Sequence, residues 1–173
     1  MAALQYVDQP GYAALLLRRS YTDLALPGAL MDRAKEWLMP TDAKWRESAK
    51  TWSFPSGATL TFGYLEHLGD EYRYQSTEFQ MIGFDELTQF EETHYRYMFS
   101  RLRRRVDGDA PLRMRSASNP GGIGHEWVRG RFIDADPSDG ERVFISARLP
   151  DNPHLDQDAY VQSLNQLDPV TRR

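Results

Sequence analysis

Short apolar segments alternate with helical segments along this chain, and this alternation restricts the possible folds more than any other feature. The apolar runs predict buried strands at 12–18, 81–84, 112–117 and 142–147. Helical patterns occupy 22–38, 91–105, 125–133 and 156–167. Because strands that are separated by helices usually pair in parallel, we expect an α/β domain with a largely parallel sheet flanked by helices.

One antiparallel insertion interrupts that pattern. Residues 51–54 and 58–64 flank Pro55, Ser56 and Gly57, and apolar and polar residues alternate in the second segment. This arrangement is typical of a β-hairpin. Pro27 predicts a break or an irregular start in the helix over 22–38. The first seven residues, MAALQYV, have the pattern of the end of a helix that leads into the first strand.

Composition removes several classes of protein and site. A length of 173 residues allows one domain with a buried core. The chain has no cysteine, which excludes disulfides, thiolate zinc sites and cysteine nucleophiles. Its four histidines lack a zinc-type spacing. No apolar run approaches the roughly 20 residues of a membrane-spanning helix.

Arginine is concentrated in one part of a chain whose net charge is −4. Between Arg96 and Arg115 there are seven arginines and only two acids, Asp107 and Asp109. Such a stretch can form a surface that binds anions. A solvated helix face held by salt bridges is the alternative.

Two acidic residues follow the strand at 81–84 directly. Ligands of open α/β sheets bind at the carboxyl ends of the strands, where Asp85 and Glu86 would lie. In nucleoside triphosphatases this pattern is the Walker B motif, in which the aspartate holds magnesium and the glutamate polarises the attacking water. The alternative is a strand end followed by acids that favour the start of a helix.

A polar and glycine-rich segment, SASNPGG, follows the next strand at 116–122. We expect it at the same edge of the sheet, where Ser118 or Asn119 could hydrogen-bond a γ-phosphate or the attacking water. Its two glycines would let the loop change conformation. A plain turn is the alternative, since Asn-Pro and Gly-Gly are common turn dipeptides. No GxxxxGK[ST] loop occurs in the 173 residues, so the sequence does not show a complete nucleotide site.

In their order and spacing, several segments together resemble the ATPase domain of the phage terminase large subunit. They are LLLRRSYTDL at 15–24, WSFPSGATLTFGY at 52–64, YQSTEFQMIGFDELTQF at 74–90, SRLRR at 100–104, SASNPGGIGHEWVRGRF at 116–132 and ARLPDNPHL at 147–155. The resemblance implies a P-loop NTPase fold of the RecA/ASCE type. It also implies that 1–173 is one partial ATPase domain, truncated at its amino terminus, with the phosphate loop upstream and a nuclease domain downstream. Such a fragment would be inactive alone.

The resemblance also assigns roles to individual residues. Asp85 would bind Mg²⁺ and Glu86 would be the catalytic carboxylate. Residues 116–119, with Ser116, Ser118 and Asn119, would form the coupling motif that links ATP hydrolysis to movement. Arg73 and Arg101 are candidates for the arginine finger. Three further arginines are candidates for contacts to DNA or to a neighbouring subunit: Arg103, Arg104 and Arg105.

The implied function is that of an ATP-driven motor that translocates double-stranded viral DNA into the procapsid. The implied partners are DNA, a small terminase subunit and the portal, with a homo-oligomeric ring as the assembly. The implied location is the cytoplasm of the infected bacterial host, without a membrane. Two alternatives remain open: another ASCE motor of the helicase type, and an inert fragment that serves as an interaction module.

Overall fold

The computed structural model describes residues 1–104, 108–135, 142–153, 160, 162 and 165. Its contacts divide the chain into two units, Met1–Arg131 and Phe132–Arg173. The sheet and the candidate site lie in the first unit. In the second unit, the described residues include a 3-10 helix at Leu149–Asp151, where Asp151 Oδ2 accepts a hydrogen bond from the Arg148 N–H at 2.7 Å.

Six strands form one continuous sheet in the first unit. They are β1 (Ala13–Arg18), β2 (Lys44–Arg46), β3 (Thr51–Ser53), β4 (Thr59–Tyr64), β5 (Met81–Asp85) and β6 (Arg113–Ala117). Their spatial order is β2-β3-β4-β1-β5-β6. The β4–β1, β1–β5 and β5–β6 pairs are parallel, whereas β2–β3 and β3–β4 are antiparallel. The prediction of a largely parallel α/β sheet with an antiparallel hairpin is therefore confirmed.

The central strands are apolar because both of their faces are covered. Ala14, Leu15 and Leu17 of β1 are fully buried, and so is Ile82 of β5. Strands that are buried on both sides need continuous apolar runs and not an alternating pattern. This requirement explains why the sequence marks β1 and β5 clearly.

Within residues 1–104 and 108–135, the α-helices are α1 (Tyr21–Ala25), α2 (Leu30–Leu38), α3 (Glu92–Phe99) and α4 (His125–Phe132). The Ser20 side chain caps α1 by accepting the Asp23 N–H at 3.1 Å. The break that Pro27 predicts is present between α1 and α2. Within the described part of the chain, no helix is long and apolar enough to cross a bilayer.

Three sequence expectations differ from the structure in the first unit. The amino-terminal residues form only a 3-10 turn at Ala2–Leu4. β2 was not predicted, and it is held by pairing with β3 through Trp45 and Trp52. α3 ends at Phe99 instead of continuing to 105, because the chain beyond it pairs with Phe79, whose carbonyl accepts the Arg103 N–H at 3.1 Å. Tertiary pairing outweighs helix propensity there.

The strand expected at 142–147 is absent from the structure. Residues 142–148 have no regular secondary structure, and Val143, Phe144 and Ile145 are more than half exposed. A strand needs a neighbour for its backbone groups, and within the described residues this segment pairs with none. The helix expected at 156–167 lies almost wholly outside the described residues.

Candidate functional site

Three parallel strands bring polar residues to one edge of the sheet. β1 ends at Arg18, β5 ends at Asp85 and β6 ends at Ala117. Asp85 is aligned with Ala117, and Leu17 is aligned with Phe84, so Arg18 comes next to Asp85 at the strand ends. Carboxyl ends of parallel strands are where open α/β sheets bind ligands.

Asp85 forms an ion pair that the sequence did not predict. Arg18 Nε lies 2.9 Å from Asp85 Oδ2, and both side chains are largely but not completely shielded from solvent. Among the described residues, this carboxylate has no other side-chain partner. The Arg18 guanidinium therefore places a positive charge beside the Asp85 carboxylate at the strand end, although Arg18 Nε makes no hydrogen bond of good geometry.

Glu86 has an unusual backbone conformation. Its φ of 56° and ψ of 57° lie in the left-handed region, which non-glycine residues seldom occupy. The residue starts a 3-10 turn at Leu87–Gln89, so the chain bends sharply directly after β5. This bend, and not strand alternation, lets the two adjacent acids reach the same edge. Strained backbone of this kind is frequent at functional sites.

The turn after β5 is hydrogen-bonded to the loop after β6. The Thr88 N–H donates to Ser118 Oγ at 3.0 Å, and the two hydroxyl oxygens are 2.8 Å apart. The Asn119 carbonyl oxygen lies 3.0 Å from Thr88 Oγ1. The Asn119 N–H points to Glu86 Oε2 at a long 3.5 Å. The predicted coupling residues Ser118 and Asn119 are thus brought next to Glu86.

Two glycines let the loop pass close to this turn. Gly124 donates its N–H to the Thr88 carbonyl at 2.7 Å. A Cβ on Gly122 would lie 2.6 Å from the Thr88 carbonyl oxygen, and Gly122 also has a φ of +80°. Trp127 of α4 adds a hydrogen bond from Nε1 to the Phe90 carbonyl at 2.8 Å. The close approach explains Gly122 and Gly124, whereas Gly121 has open space and is favoured by its φ of +106° alone.

Ser116 lies on β6 opposite Phe84 and is exposed. Its hydroxyl has no partner among the hydrogen bonds of the described residues. The structure therefore brings Ser118 and Asn119 into the hydrogen-bonded network around Glu86 and leaves Ser116 outside it.

The two candidate arginine fingers are engaged elsewhere in this conformation. Arg73 Nη2 lies 2.8 Å from Asp70 Oδ2, and the guanidinium stacks 4.4 Å above the Tyr64 ring. Partial burial opposes ionisation of Asp70, but the N–H groups of His67 and Glu66 and the charge of Arg73 outweigh it and lower the pKa of this carboxyl. Among the described residues, no contact joins Arg73 to Asp85 or Glu86.

Arg101 is likewise held by its own surroundings. Its Nη1 donates to the Gln75 carbonyl, its Nε donates to Ser100 Oγ at 3.0 Å, and its guanidinium lies 5.4 Å from the centre of the Tyr97 ring. These contacts anchor Arg101 to the segment before β5. Among the described residues, it too has no contact with Asp85 or Glu86.

The proposed DNA-contacting arginines are only partly described. Arg103 is exposed and lies 3.3 Å from Glu78 Oε1. Arg104 is exposed. Arg105 lies outside the described residues. A surface arginine in a single weak pair keeps most of its charge available to an anion.

The donor set at this edge suits a magnesium ion that keeps most of its own ligands. Within the described part of the chain, no three His, Asp or Glu residues converge as a metal cluster. Mg²⁺ commonly takes one or two carboxylates and fills its other positions with phosphate oxygens and water. The Asp85 carboxylate, which is 30% exposed, fits that role, and among the described residues no all-protein cage is formed.

Sequence reasoning missed two residues of this site, Arg18 and Thr88. Arg18 ends an apolar run, just as Asp85 does, and that shared position was the available signal. Thr88 gave no signal, since its role depends on the loop after β6 lying against it.

One protein-family model matches nearly the whole chain. The sequence model described as "Terminase large subunit, T4likevirus-type, N-terminal" matches residues 3–173. None of the curated protein sequences compared with the chain gave a significant match.

Solved structures share the fold. The large terminase from a thermophilic bacteriophage, in crystal form 2, matches with a TM-score of 0.70 at 14% identity over 95% of this chain. The complex of that terminase with ATP-gamma-S matches with a TM-score of 0.70 at 15% identity over 99% of this chain. Its complex with ADP matches with a TM-score of 0.69 at 14% identity over 95% of this chain. Each match covers 39% of the solved chain, so this chain spans well under half of those structures.

At such identities the structural likeness establishes the fold alone, which is the α/β fold of these large terminase structures. The family model covers nearly every residue. The chain therefore belongs to the terminase large subunit family and corresponds to its amino-terminal part.

Proposed function

We propose that this chain is part of a motor that hydrolyses ATP to translocate double-stranded viral DNA into the procapsid. The observation that carries the proposal is the meeting of Asp85, Glu86 and the 118–119 loop at the carboxyl edge of the parallel sheet. Family membership and the nucleotide complexes of the similar structures support it.

The proposal gives each residue of the candidate site a task. Asp85, whose Oδ2 lies beside Arg18 Nε, would bind magnesium through its carboxylate. Mg²⁺ would neutralise charge on the β- and γ-phosphates and orient them. Glu86 stands one residue further and accepts a proton from, or orients, the attacking water. The 116–119 segment couples the state of this site to movement against DNA.

Contacts to DNA would come from the arginines near the end of α3. Arg103 and Arg104 are exposed, so their charges can reach phosphate oxygens. Binding through phosphates is nearly independent of base sequence and weakens steeply with salt. An arginine finger from this or a neighbouring subunit would complete the site. Arg73 and Arg101 remain the candidates. To enter the site, Arg73 would have to break its ion pair with Asp70, and Arg101 would have to break its hydrogen bond to the Gln75 carbonyl.

The proposal extends to the complete assembly. A phosphate-binding loop with its lysine would be supplied by sequence outside these 173 residues, and so would a nuclease domain. The partners would be a small terminase subunit, the portal and further copies in a ring, in the cytoplasm of the infected host. These expectations follow from the family.

The test replaces Glu86 by Gln in the chain extended upstream through a phosphate-binding loop. Removing the carboxylate while keeping its shape should lower ATP turnover by at least about 100-fold, the range of general acid–base catalysis, and leave Mg²⁺–ATP binding intact. Glu36→Gln on the exposed face of α2 is the control, since Glu36 pairs with Arg33 at the surface, away from the candidate site.

Three outcomes would count against the proposal. Near-normal turnover in Glu86→Gln would remove Glu86 from the site. Hydrolysis by the 173 residues alone would contradict the need for an outside phosphate loop. Strand unwinding without packaging into proheads would favour a helicase-type motor.

A further inference from the structure

Thr88 is the most completely engaged polar side chain beside the candidate site. It is 5% exposed and lies two residues after Glu86. Its Oγ1 contacts Ser118 Oγ at 2.8 Å and the Asn119 carbonyl oxygen at 3.0 Å, and its N–H donates to Ser118 Oγ. One residue thus joins the turn after β5 to the loop after β6 through three polar contacts.

These contacts use up the hydroxyl of Ser118. A hydroxyl has one proton to donate and two lone pairs that accept. Ser118 Oγ receives the Thr88 N–H, lies beside Thr88 Oγ1, and is 3.0 Å from the Asn119 carbonyl, to which it can donate. In this conformation Ser118 has little capacity left for a phosphate oxygen. Asn119 uses its carbonyl and its N–H, whereas its exposed side-chain amide has no hydrogen-bond partner among the described residues.

We propose that Thr88 is a positioning residue that makes the 118–124 loop move together with Glu86, and that the Asn119 amide, not the Ser118 hydroxyl, meets the terminal phosphate or the attacking water. This inference rests on the proposed ATPase function and refines it. A change at the Asn119 amide is passed to Glu86 through the Asn119 N–H and through Thr88.

The backbone around Thr88 supports this role. Its carbonyl accepts the Gly124 N–H at 2.7 Å, and there is no space for a Cβ on Gly122 against the same carbonyl. A loop held this closely at both of its ends cannot shift without moving the turn that begins at Glu86. The Thr88 side chain contacts the start of the loop at Ser118 and Asn119, and the Thr88 carbonyl accepts a hydrogen bond from its end at Gly124.

Turnover in the upstream-extended protein tests the role of the hydroxyl. Thr88→Val keeps the shape and removes only the hydrogen bonds of the hydroxyl. It should lower kcat about tenfold, which corresponds to roughly 1.4 kcal/mol and to the loss of about one buried hydrogen bond. ATP affinity should change less than about twofold, because this residue acts on the arrangement of Glu86 and not on binding. Thr88→Ser should restore most of kcat.

The chain contains a matched control. Thr51 Oγ1 contacts the Thr61 hydroxyl at 3.0 Å and donates to the Ala49 carbonyl at 2.9 Å, the same pair of partner types that Thr88 has. Thr51 lies on β3, in the antiparallel hairpin, which is at the opposite end of the strand order from β5 and β6. Thr51→Val should leave kcat unchanged.

The proposed link also predicts non-additivity. Ser118→Ala and Thr88→Val both remove the contact between the two hydroxyl groups, while each leaves one other bond between the turn and the loop. The double variant should therefore lose less kcat than the two single losses combined. Asn119→Ala should lower kcat and weaken discrimination between ATP and ADP, whereas Ser118→Ala should leave that discrimination intact. Additive losses in the double variant, or lost discrimination in Ser118→Ala, would overturn the assignment.

Hydrogen exchange gives a readout that does not need turnover. In the nucleotide-free protein, Thr88→Val and Ser118→Ala should each speed amide exchange in the peptide covering 118–124 about five- to tenfold, whereas Thr51→Val should not. Unchanged exchange in Ser118→Ala, an exposed site that tolerates substitution, would refute the link even if Thr88→Val failed to fold. A wild-type protein without ATPase activity would refute the proposed function, while the exchange result would still decide the link.

Discussion

The left-handed backbone of Glu86 makes a quantitative prediction about stability. For a residue with a Cβ, this conformation costs roughly 1–2 kcal/mol, whereas glycine adopts it freely. Glycine in turn loses about 0.4–1 kcal/mol relative to alanine through the entropy of the unfolded chain. The difference predicts that Glu86→Gly is more stable than Glu86→Ala by roughly 1 kcal/mol, or about 2–4 °C in Tm for a chain of this size.

Lys50 provides an internal control for this comparison. It is the other described non-glycine residue with positive φ, at 50°, and it lies away from the candidate site between the two strands β2 and β3. Lys50→Gly should be more stable than Lys50→Ala by a similar free energy of unfolding. Both variants lose the contacts of Lys50 with Glu47 and Tyr21, so that loss cancels in the comparison. Urea unfolding of the four variants measures both differences.

The result has a functional side. Both Glu86 variants should lack ATP turnover, because neither has a carboxylate. A higher stability of Glu86→Gly than of Glu86→Ala would show that this position accepts backbone strain in order to place a carboxylate there. If Glu86→Gly were no more stable than Glu86→Ala while position 50 gave the expected gain, the backbone of Glu86 would not be strained and this reasoning would fail.

Three further predictions concern other parts of the first unit. Gly122→Ala should destabilise the protein by about 2 kcal/mol more than Gly121→Ala in urea unfolding, because both positions have positive φ but only at Gly122 does a Cβ meet a backbone oxygen, at 2.6 Å; equal losses would contradict this. A double-mutant cycle of Arg18→Met and Asp85→Asn should give a coupling of about 1 kcal/mol, and a value near zero would show that the half-buried pair is not formed. Burial raises the pKa of Tyr74 from 10.0 to about 12, so the unfolded chain loses this proton first and stability should fall between about pH 10 and 12; Tyr74→Phe should reduce that fall in alkaline unfolding curves.

The strands were predictable where burial alone dictates the sequence. β1 and β5 are continuous apolar runs because neighbours cover both faces, and Asp85 was predictable because it follows such a run. The pairing of Arg18 with Asp85 was not, since it depends on the register between two strands far apart in the chain.

The missed features depend on tertiary contacts. α3 stops early because the chain after it pairs with Phe79. The 142–147 segment has the composition of a strand but no neighbouring strand among the described residues. Local pattern indicates what a segment can form, and pairing decides what it does form.

The central position of β1 affects the order of events during synthesis. β1 leaves the ribosome before the other five strands, yet both strands that flank it, β4 and β5, are made much later. Until then the two strands that flank β1 in this sheet are missing, and closing two long parallel connections is intrinsically slow. The nascent chain therefore exposes an aggregation-prone apolar strand for much of its translation. Its yield in cells should depend on chaperones that bind β1 until β5 has emerged from the ribosome.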